Sequence, residues 1–467
     1  MSNFSDFSAW STYIVLGILF AALLIANILK KTITLLGKSL IPTSVIGGSL
    51  IMIVTLIFKL ITGESFFEQP IFAENGTAVL EVLTYHCLAL GFIASSLKTM
   101  KIKMSKRRAT EIFNSGVTTV ATYLLQAMFG FGITIIIAAF FLTDFFPAAG
   151  MLLPFGYGQG SGQALNYGYI YQTDFGFDGG TSFGLAIAAL GFVSAAIGGV
   201  IHMNIRRRSG KLIIGAAAAE HFKSEDIQTD DEIPMQESVD KLTIQVALVA
   251  VAYLLTYVFM VLLSKLIPSI TSVIYGFNFL LGVISATLVK HLFRFLHKKN
   301  IMKKEYTNNF LLTRVSNFFF DIMIIAGMAA ISLDIIGHYL GILLIIGIVG
   351  AIVTYIYNRI VARYLFSRYK DEQFLAMYGM LTGTASTGIV LLREIDPNFD
   401  TPAADNLVYQ TLPAIAFGFP MMVLATLAPV NPLLTMIIFA VFFLALNIIL
   451  FRSYIFKGKR RKRNKHK

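Results

Sequence analysis

Gly156-Tyr157-Gly158-Gln159-Gly160-Ser161-Gly162-Gln163 sets glycine at every second position through four glycines. No regular helix tolerates that pattern well, since each glycine costs roughly 1 kcal/mol against alanine in a helix interior. Yet strongly apolar segments flank the stretch, and Pro147 and Pro154 precede it. Inside a membrane, irregular backbone survives only where protein buries it or where it lines a wet cavity. A second stretch of this kind, Gly379-Met380-Leu381-Thr382-Gly383-Thr384-Ala385-Ser386-Thr387-Gly388, follows about half a chain later. Both are small, hydroxyl-rich and uncharged. They read as the tips of two hairpins that meet around a small polar ligand.

The chain around these tips has 467 residues, 56% of them hydrophobic, against a globular norm of roughly 45–50%. Apolar runs of about 20 residues, the length that crosses a ~30 Å hydrocarbon core, recur throughout. Eleven spans are expected, at residues 12–29, 40–61, 79–97, 116–142, 182–202, 242–263, 271–293, 310–333, 339–365, 406–424 and 432–450. The single Cys87 rules out an internal disulfide and a cysteine metal site. The net charge of +12 invites a nucleic-acid reading, but its distribution argues for topology instead. With the N-terminus outside and the C-terminus inside, 36 of the 38 Lys and Arg fall on the inner side, leaving Lys59 and Lys265 outside. The expectation is a multi-pass protein of the cell (inner or plasma) membrane, its partner the lipid bilayer and not nucleic acid. No His or Cys cluster and no nucleophile–base spacing suggests an enzyme.

Internal matches suggest a repeat. Gly91-x-x-Ala94-x-Ser96-Leu97 returns as Gly327-x-x-Ala330-x-Ser332-Leu333, Asp174-x-x-Phe177-Asp178 as Asp396-x-x-Phe399-Asp400, and Ile41-Pro42 as Ile267-Pro268. The offsets are 236, 222 and 226. Five spans per half is an odd number, so the second half sits upside down, as in many secondary transporters. The expected organisation is therefore all-α. A first inverted repeat covers 1–203 with a re-entrant hairpin at about 147–171, and a cytoplasmic linker follows at 204–240. A second repeat covers 241–425 with a hairpin at about 371–396, and 426–467 holds an eleventh helix and a basic tail. Two arms of about ten helical residues rise ~15 Å each, half the hydrocarbon core, so both tips reach the midplane from opposite sides.

At such tips, backbone N–H groups and half-helix dipoles favour a carboxylate. Gly158, Gly160, Gly162 and Gly383 permit close backbone approach. Ser161, Gln163, Thr382, Thr384, Ser386 and Thr387 supply neutral donors and acceptors, and freed carbonyls can ligate sodium. Neither tip carries an acid or a base, which favours an anion neutralised by a co-bound cation. Asp321 lies deep in the eighth span and is a functional candidate by position. It could ligate sodium, as Ser386 could, bind a substrate ammonium group or carry a proton, or else be a structural partner of Arg314 or of a neighbouring helix's hydroxyl. His86 occupies nearly the equivalent position in the third span.

These residues resemble the bacterial sodium/glutamate symporter family. Ile41-Pro42-Thr43-Ser44-Val45-Ile46-Gly47-Gly48 is similar to that family's I-P-x-x-V-x-G-G. Gly156-Tyr157-Gly158-Gln159-Gly160-Ser161 resembles its first-hairpin G-G-H-G-T, departing at Tyr157 and Gln159. Gly379-Met380-Leu381-Thr382-Gly383-Thr384-Ala385-Ser386 resembles the second-hairpin G-x-x-G-A-T-P-T-A, without its proline. The resemblance implies a sodium-coupled symporter, a homodimer, and an elevator motion of a hairpin domain. The expected substrate is a small carboxylate, L-glutamate first, with sodium as coupling ion and no cofactor. Another di- or hydroxycarboxylate, coupled to sodium or protons, and a passive anion channel are the alternatives.

Overall fold

The computed structural model describes residues 5–38, 41–98, 105–208, 232, 239–268, 271–276, 278–302, 304–396 and 400–455. Most of the expected linker, the basic tail from residue 456 and residues 397–399 of the second D-x-x-F-D match lie outside the described residues. Among the described residues the elements are helical, apart from a lone bridge between Glu232 and Glu305.

In chain order the helices are α1 (Phe7–Thr32), α2 (Thr34–Lys38), α3 (Thr43–Thr62), α4 (Gly76–Leu97), α5 (Lys106–Phe140) and α6 (Ser161–Phe175). Next come α7 (Gly180–Arg208), α8 (Lys241–Leu266), α9 (Thr271–Gly276), α10 (Asn278–Lys298), α11 (Asn309–Ala329) and α12 (Leu333–Leu365). The last five are α13 (Lys370–Thr382), α14 (Ala385–Arg393), α15 (Ala403–Tyr409), α16 (Thr411–Ala425) and α17 (Pro432–Leu450). Among the described residues ten helices are long and apolar enough to cross a membrane, and α15 with α16, bent by 51°, make an eleventh span if read as one. The chain is a multi-pass membrane protein.

Two elements differ from the hydropathy reading. α5 starts in the basic stretch before its apolar run, because Ser105 accepts the Arg108 N–H at 3.2 Å as a cap and Glu111 pairs with Arg107 at 2.9 Å and Arg108 at 2.7 Å. The span expected at 406–424 is broken between α15 and α16. Pro413 has no N–H to give the carbonyl of Tyr409, so the ladder is interrupted there.

The chain forms two compact units, and each draws on both sequence halves. The first comprises Met1–Ile25, Gly47–Lys103 and Ala219–Ala330. In it α4, α8, α10 and α11 share a core that includes Ile93, Leu97, Val249, Ala286 and Leu312, and Ser316 Oγ donates to the Gly91 carbonyl at 2.9 Å. The second unit, Ala26–Ile46, Met104–Ala218 and Ile331–Lys467, contains both hairpins.

The first hairpin corrects the expectation of two regular helical arms. Its entry arm is a 3-10 turn at Pro147–Met151 followed by a π-type turn at Pro154–Gln159, and only the return arm, α6, is an α-helix. Pro147 and Pro154 each lack the N–H that a continuous ladder needs. The entry arm is held instead by α5. Thr134 Oγ1 donates to the Pro147 carbonyl at 2.6 Å and accepts the Gly150 N–H at 3.1 Å. Gly150 lies directly against the backbone of Gly130, where a Cβ would overlap the Gly130 carbonyl.

Gly150→Ala should therefore destabilise the protein by about 1–3 kcal/mol or more. Gly337→Ala, on a helix position with open space around it, should change stability by less than about 0.5 kcal/mol. Thermal midpoints of the purified variants in one detergent check the pair.

Candidate functional site

The second hairpin is built as the sequence suggests, from thirteen residues of α13 and nine of α14 joined at Gly383 and Thr384. The two tips touch. A Cβ built on Gly160 would lie 3.4 Å from Thr384 Cγ2 and 3.7 Å from the Gly383 carbonyl oxygen. Gly160 itself has φ 87° and ψ −178°, backbone that favours glycine.

The two helices that begin at the tips differ in how they start. Thr384 caps α14, its Oγ1 accepting the Thr387 N–H at 3.4 Å and lying 3.3 Å from Thr387 Oγ1. Gly160 offers α6 no capping side chain. The first N–H groups of a helix have no acceptor within it, so those of Ser161, Gly162 and Gln163 face the junction uncapped. In the same turn, Ser161 Oγ and both amide atoms of Gln163 are buried without a hydrogen-bond partner among the described residues. A buried polar atom left unpaired costs about 1–3 kcal/mol, and three such atoms lie in the first turn of α6, next to the tip.

Side chains of α5 and α7 tie the tips down. Tyr123 OH donates to the Gly158 carbonyl at 2.9 Å. Gln126 Nε2 donates to the Leu381 carbonyl and to Thr354 Oγ1, both at 2.8 Å, while its Oε1 has no partner among the described residues. Tyr157 OH donates to the Gly347 carbonyl at 2.7 Å and lies 2.9 Å from Ser194 Oγ. Tyr378 OH donates to the Ser194 carbonyl at 3.1 Å, so both hairpins are pinned to one residue of α7. The return arm is held at its far side, where Phe155 stacks on Tyr167 with centroids 3.7 Å apart and the Tyr167 hydroxyl donates to the Met422 carbonyl at 2.8 Å.

Gly160 thus comes beside Gly383 and Thr384, and the polar groups of the second tip differ in availability. Thr382 spends its hydroxyl on the Tyr378 carbonyl at 2.7 Å. Thr387 is engaged with Thr384. The side chain of Ser386 lies outside the described residues. Asp321 is on α11 in the other compact unit, half-buried and already engaged in an interaction. His86 belongs to that unit too, its Nδ1 2.6 Å from Tyr253 OH. Among the described residues no three His, Cys, Asp or Glu side chains gather as a metal site. A cation at the tips would rely on amide, hydroxyl and carbonyl oxygens.

Two features were not read from the sequence. The first is a reciprocal pair across α5 and α12: Gln126 Nε2 donates to Thr354 Oγ1 at 2.8 Å, and Asn358 Nδ2 donates to Thr122 Oγ1 at 3.4 Å. Thr122 and Gln126 stand four apart, as do Thr354 and Asn358, and an offset of 232 relates the two pairs. The second is an ion cluster at the foot of the second hairpin. Asp371 is buried and accepts from Arg206 at 2.5 Å, Arg359 at 2.7 Å and His202 Nε2 at 3.3 Å. His202 Nδ1 lies 2.9 Å from Tyr355 OH. The spacing of His202 and Arg206, one helical turn apart, was the available signal. Burial alone would push the Asp371 carboxyl up, but hydrogen bonds from His202, Arg206 and Arg359, with the charge of Arg359, hold it well below the usual carboxylate range. Compared with known proteins, the chain matches no family model and no curated sequence.

Because its folded-state pKa is depressed, Asp371 contributes stability that is fully present above its unfolded value of about 3.9. That contribution is lost as pH falls through the folded value. Asp371→Asn removes the charge between two arginines and should cost roughly 3–5 kcal/mol at pH 7. Thermal midpoints at pH 7 and pH 3 test this, and the gap between native protein and variant should be widest at pH 7.

Proposed function

We propose that the protein is a secondary transporter whose substrate binds at the junction of the two hairpin tips. The observation that carries this reading is the close approach of Gly160 to Thr384 and Gly383 beside an uncapped helix start, with Ser161 and Gln163 unpartnered among the described residues. Uncapped N–H groups and a half-helix dipole bind an anion without a cationic side chain. A small carboxylate is the ligand class that suits them, L-glutamate first. The neutral oxygens around it, Gln126 Oε1 among them, suit a co-bound sodium ion better than a second organic charge.

Two five-helix inverted repeats are the architecture proposed. In support, the Thr122/Gln126 and Thr354/Asn358 pairs exchange hydrogen bonds reciprocally at an offset close to the others in the sequence. Equivalent elements that face each other across a two-fold axis contact in this way. Both hairpins fall in one compact unit, which suits the elevator movement that the resemblance to sodium/glutamate symporters implies. Homodimer formation and an outer N-terminus rest on the same resemblance and on the distribution of cations. Asp321 remains a candidate for the coupling ion in the other unit.

Proteoliposomes loaded without substrate should accumulate L-glutamate or a close dicarboxylate uphill only when an inward sodium gradient is present. Gln163→Leu, which keeps the volume and removes both polar atoms, should reduce uptake at least tenfold without loss of expression. Asp321→Asn should raise the sodium concentration needed for half-maximal uptake. Downhill flux that ignores sodium would mean a channel, and full uptake by Gln163→Leu would move the substrate away from the tips.

A further inference from the structure

We propose that a shallow cleft at the end of α10 binds the headgroup phosphate of an anionic phospholipid. The cleft lies wholly in the first compact unit and stands independently of the transport reading. Lys290, Phe293, Arg294 and His297 line it from α10, and Lys304, Glu305 and Tyr306 close it from the segment that follows. His297 Nδ1 donates to the Met302 carbonyl at 3.1 Å, which folds that segment back over the helix end. Phe293 and Tyr306 form the wall, their ring centroids 6.0 Å apart at 62°.

The charges in the cleft are not used up by the protein. Lys290 is the exception, since its Nζ donates to the carbonyls of Ser96 at 2.5 Å and Lys98 at 3.2 Å and so closes the end of α4. Its positive charge stays beside the cleft. Arg294 and Lys304 make no hydrogen bond or ion pair among the described residues. Glu305 is the one acid of the lining. The nearby Glu232 is already held by Lys241 Nζ at 2.9 Å and Asn308 Nδ2 at 2.5 Å. Among the described residues Arg294 and Lys304 therefore line the cleft unengaged, with Lys290 beside them and Glu305 as the opposing carboxylate, around an aromatic wall.

Depth selects the ligand. Leu288, Leu292 and Phe295 of α10 are exposed apolar residues that carry the hydrocarbon-facing surface up to this level. Arg294 and Lys304 then sit where hydrocarbon gives way to headgroups, and basic pockets between helices at that level take anionic lipid headgroups. The guanidinium of Arg294 matches two phosphate oxygens at once. A soluble phosphate has the same chemistry but no reason to be concentrated at this depth.

The test uses the full-length protein in a neutral detergent, titrated with short-chain phosphatidylglycerol, short-chain phosphatidylcholine or inorganic phosphate. Bound species are counted by native mass spectrometry. Phosphatidylglycerol should bind more tightly than phosphatidylcholine. Each cation near an anionic headgroup is worth about fivefold, so Arg294→Gln with Lys304→Gln should weaken phosphatidylglycerol binding about 25-fold. A charge-matched pair outside the cleft, Lys31→Gln with Lys106→Gln, should weaken it less than threefold. Glu305→Gln, which removes the opposing charge and disturbs no hydrogen bond, should tighten it. Equal losses in both double variants would mean diffuse surface attraction and overturn the site. Inorganic phosphate competing at the same concentration as the lipid would overturn the lipid as its occupant.

Discussion

A helix broken inside a membrane leaves backbone carbonyl and N–H groups with no water to satisfy them. Here one helix answers both breaks. Tyr123 and Gln126, less than one turn apart on α5, reach the Gly158 carbonyl of the first hairpin and the Leu381 carbonyl of the second. The rest of the unit follows from that constraint. Thr134 of the same helix holds the entry arm through Pro147 and Gly150, and Ser194 of α7 receives the two hairpin tyrosines. With the Gly158 and Leu381 carbonyls satisfied by α5, the unpartnered groups among the described residues of the first tip are N–H donors and neutral amide or hydroxyl atoms. Neither tip stretch carries an acid or a base. In the proposed transporter the ligand brings its own charge, as a carboxylate accompanied by a small cation.

The asymmetry of the tips gives the site a direction. Thr384 caps its own helix, so the second tip closes on itself and presents mainly shape, through Gly383 and the Thr384 methyl. The first tip is uncapped and holds Gln163 and Ser161 buried without partners. In the proposed transporter, the first hairpin reads the carboxylate and the second encloses it. The ion cluster around Asp371 lies at the foot of the second hairpin and fastens it to α7 and α12 through Arg206 and Arg359. That fastening lets the tip remain small and uncharged while its base is held by strong, buried charge pairs.

Much of this was legible in the sequence, for identifiable reasons. A lipid core demands runs of about 20 apolar residues, so the spans stand out, and glycines at every second position mark a helix break, which falls at Gly160 between the π-type turn and α6. The start of α5 was obscured because its first turn is basic, and a capped, ion-paired helix start resembles a loop in hydropathy. Pro147 and Pro154 were visible, yet their effect depends on whether another element supplies the missing bonds, and Thr134 is in a different helix. Asp371 finds Arg206 and His202 across more than 160 positions of chain, a pairing that local pattern does not carry. Thr122 and Gln126 with Thr354 and Asn358 were readable as a spaced repeat, but only the reciprocal hydrogen bonds make them meaningful. Asp321 shows the opposite limit. Its place inside an apolar run was readable from the sequence, whereas its membership of the first unit comes only from packing.

The central claim is that the tip junction is where the substrate binds. A cryo-EM structure of the full-length protein with L-glutamate in high sodium tests it most directly. The account predicts ligand density against the first N–H groups of α6, within hydrogen-bonding distance of Ser161 and Gln163 and covered by Gly383 and Thr384. Ligand density elsewhere, or unchanged tips with no carboxylate bound at saturating concentration, would contradict it.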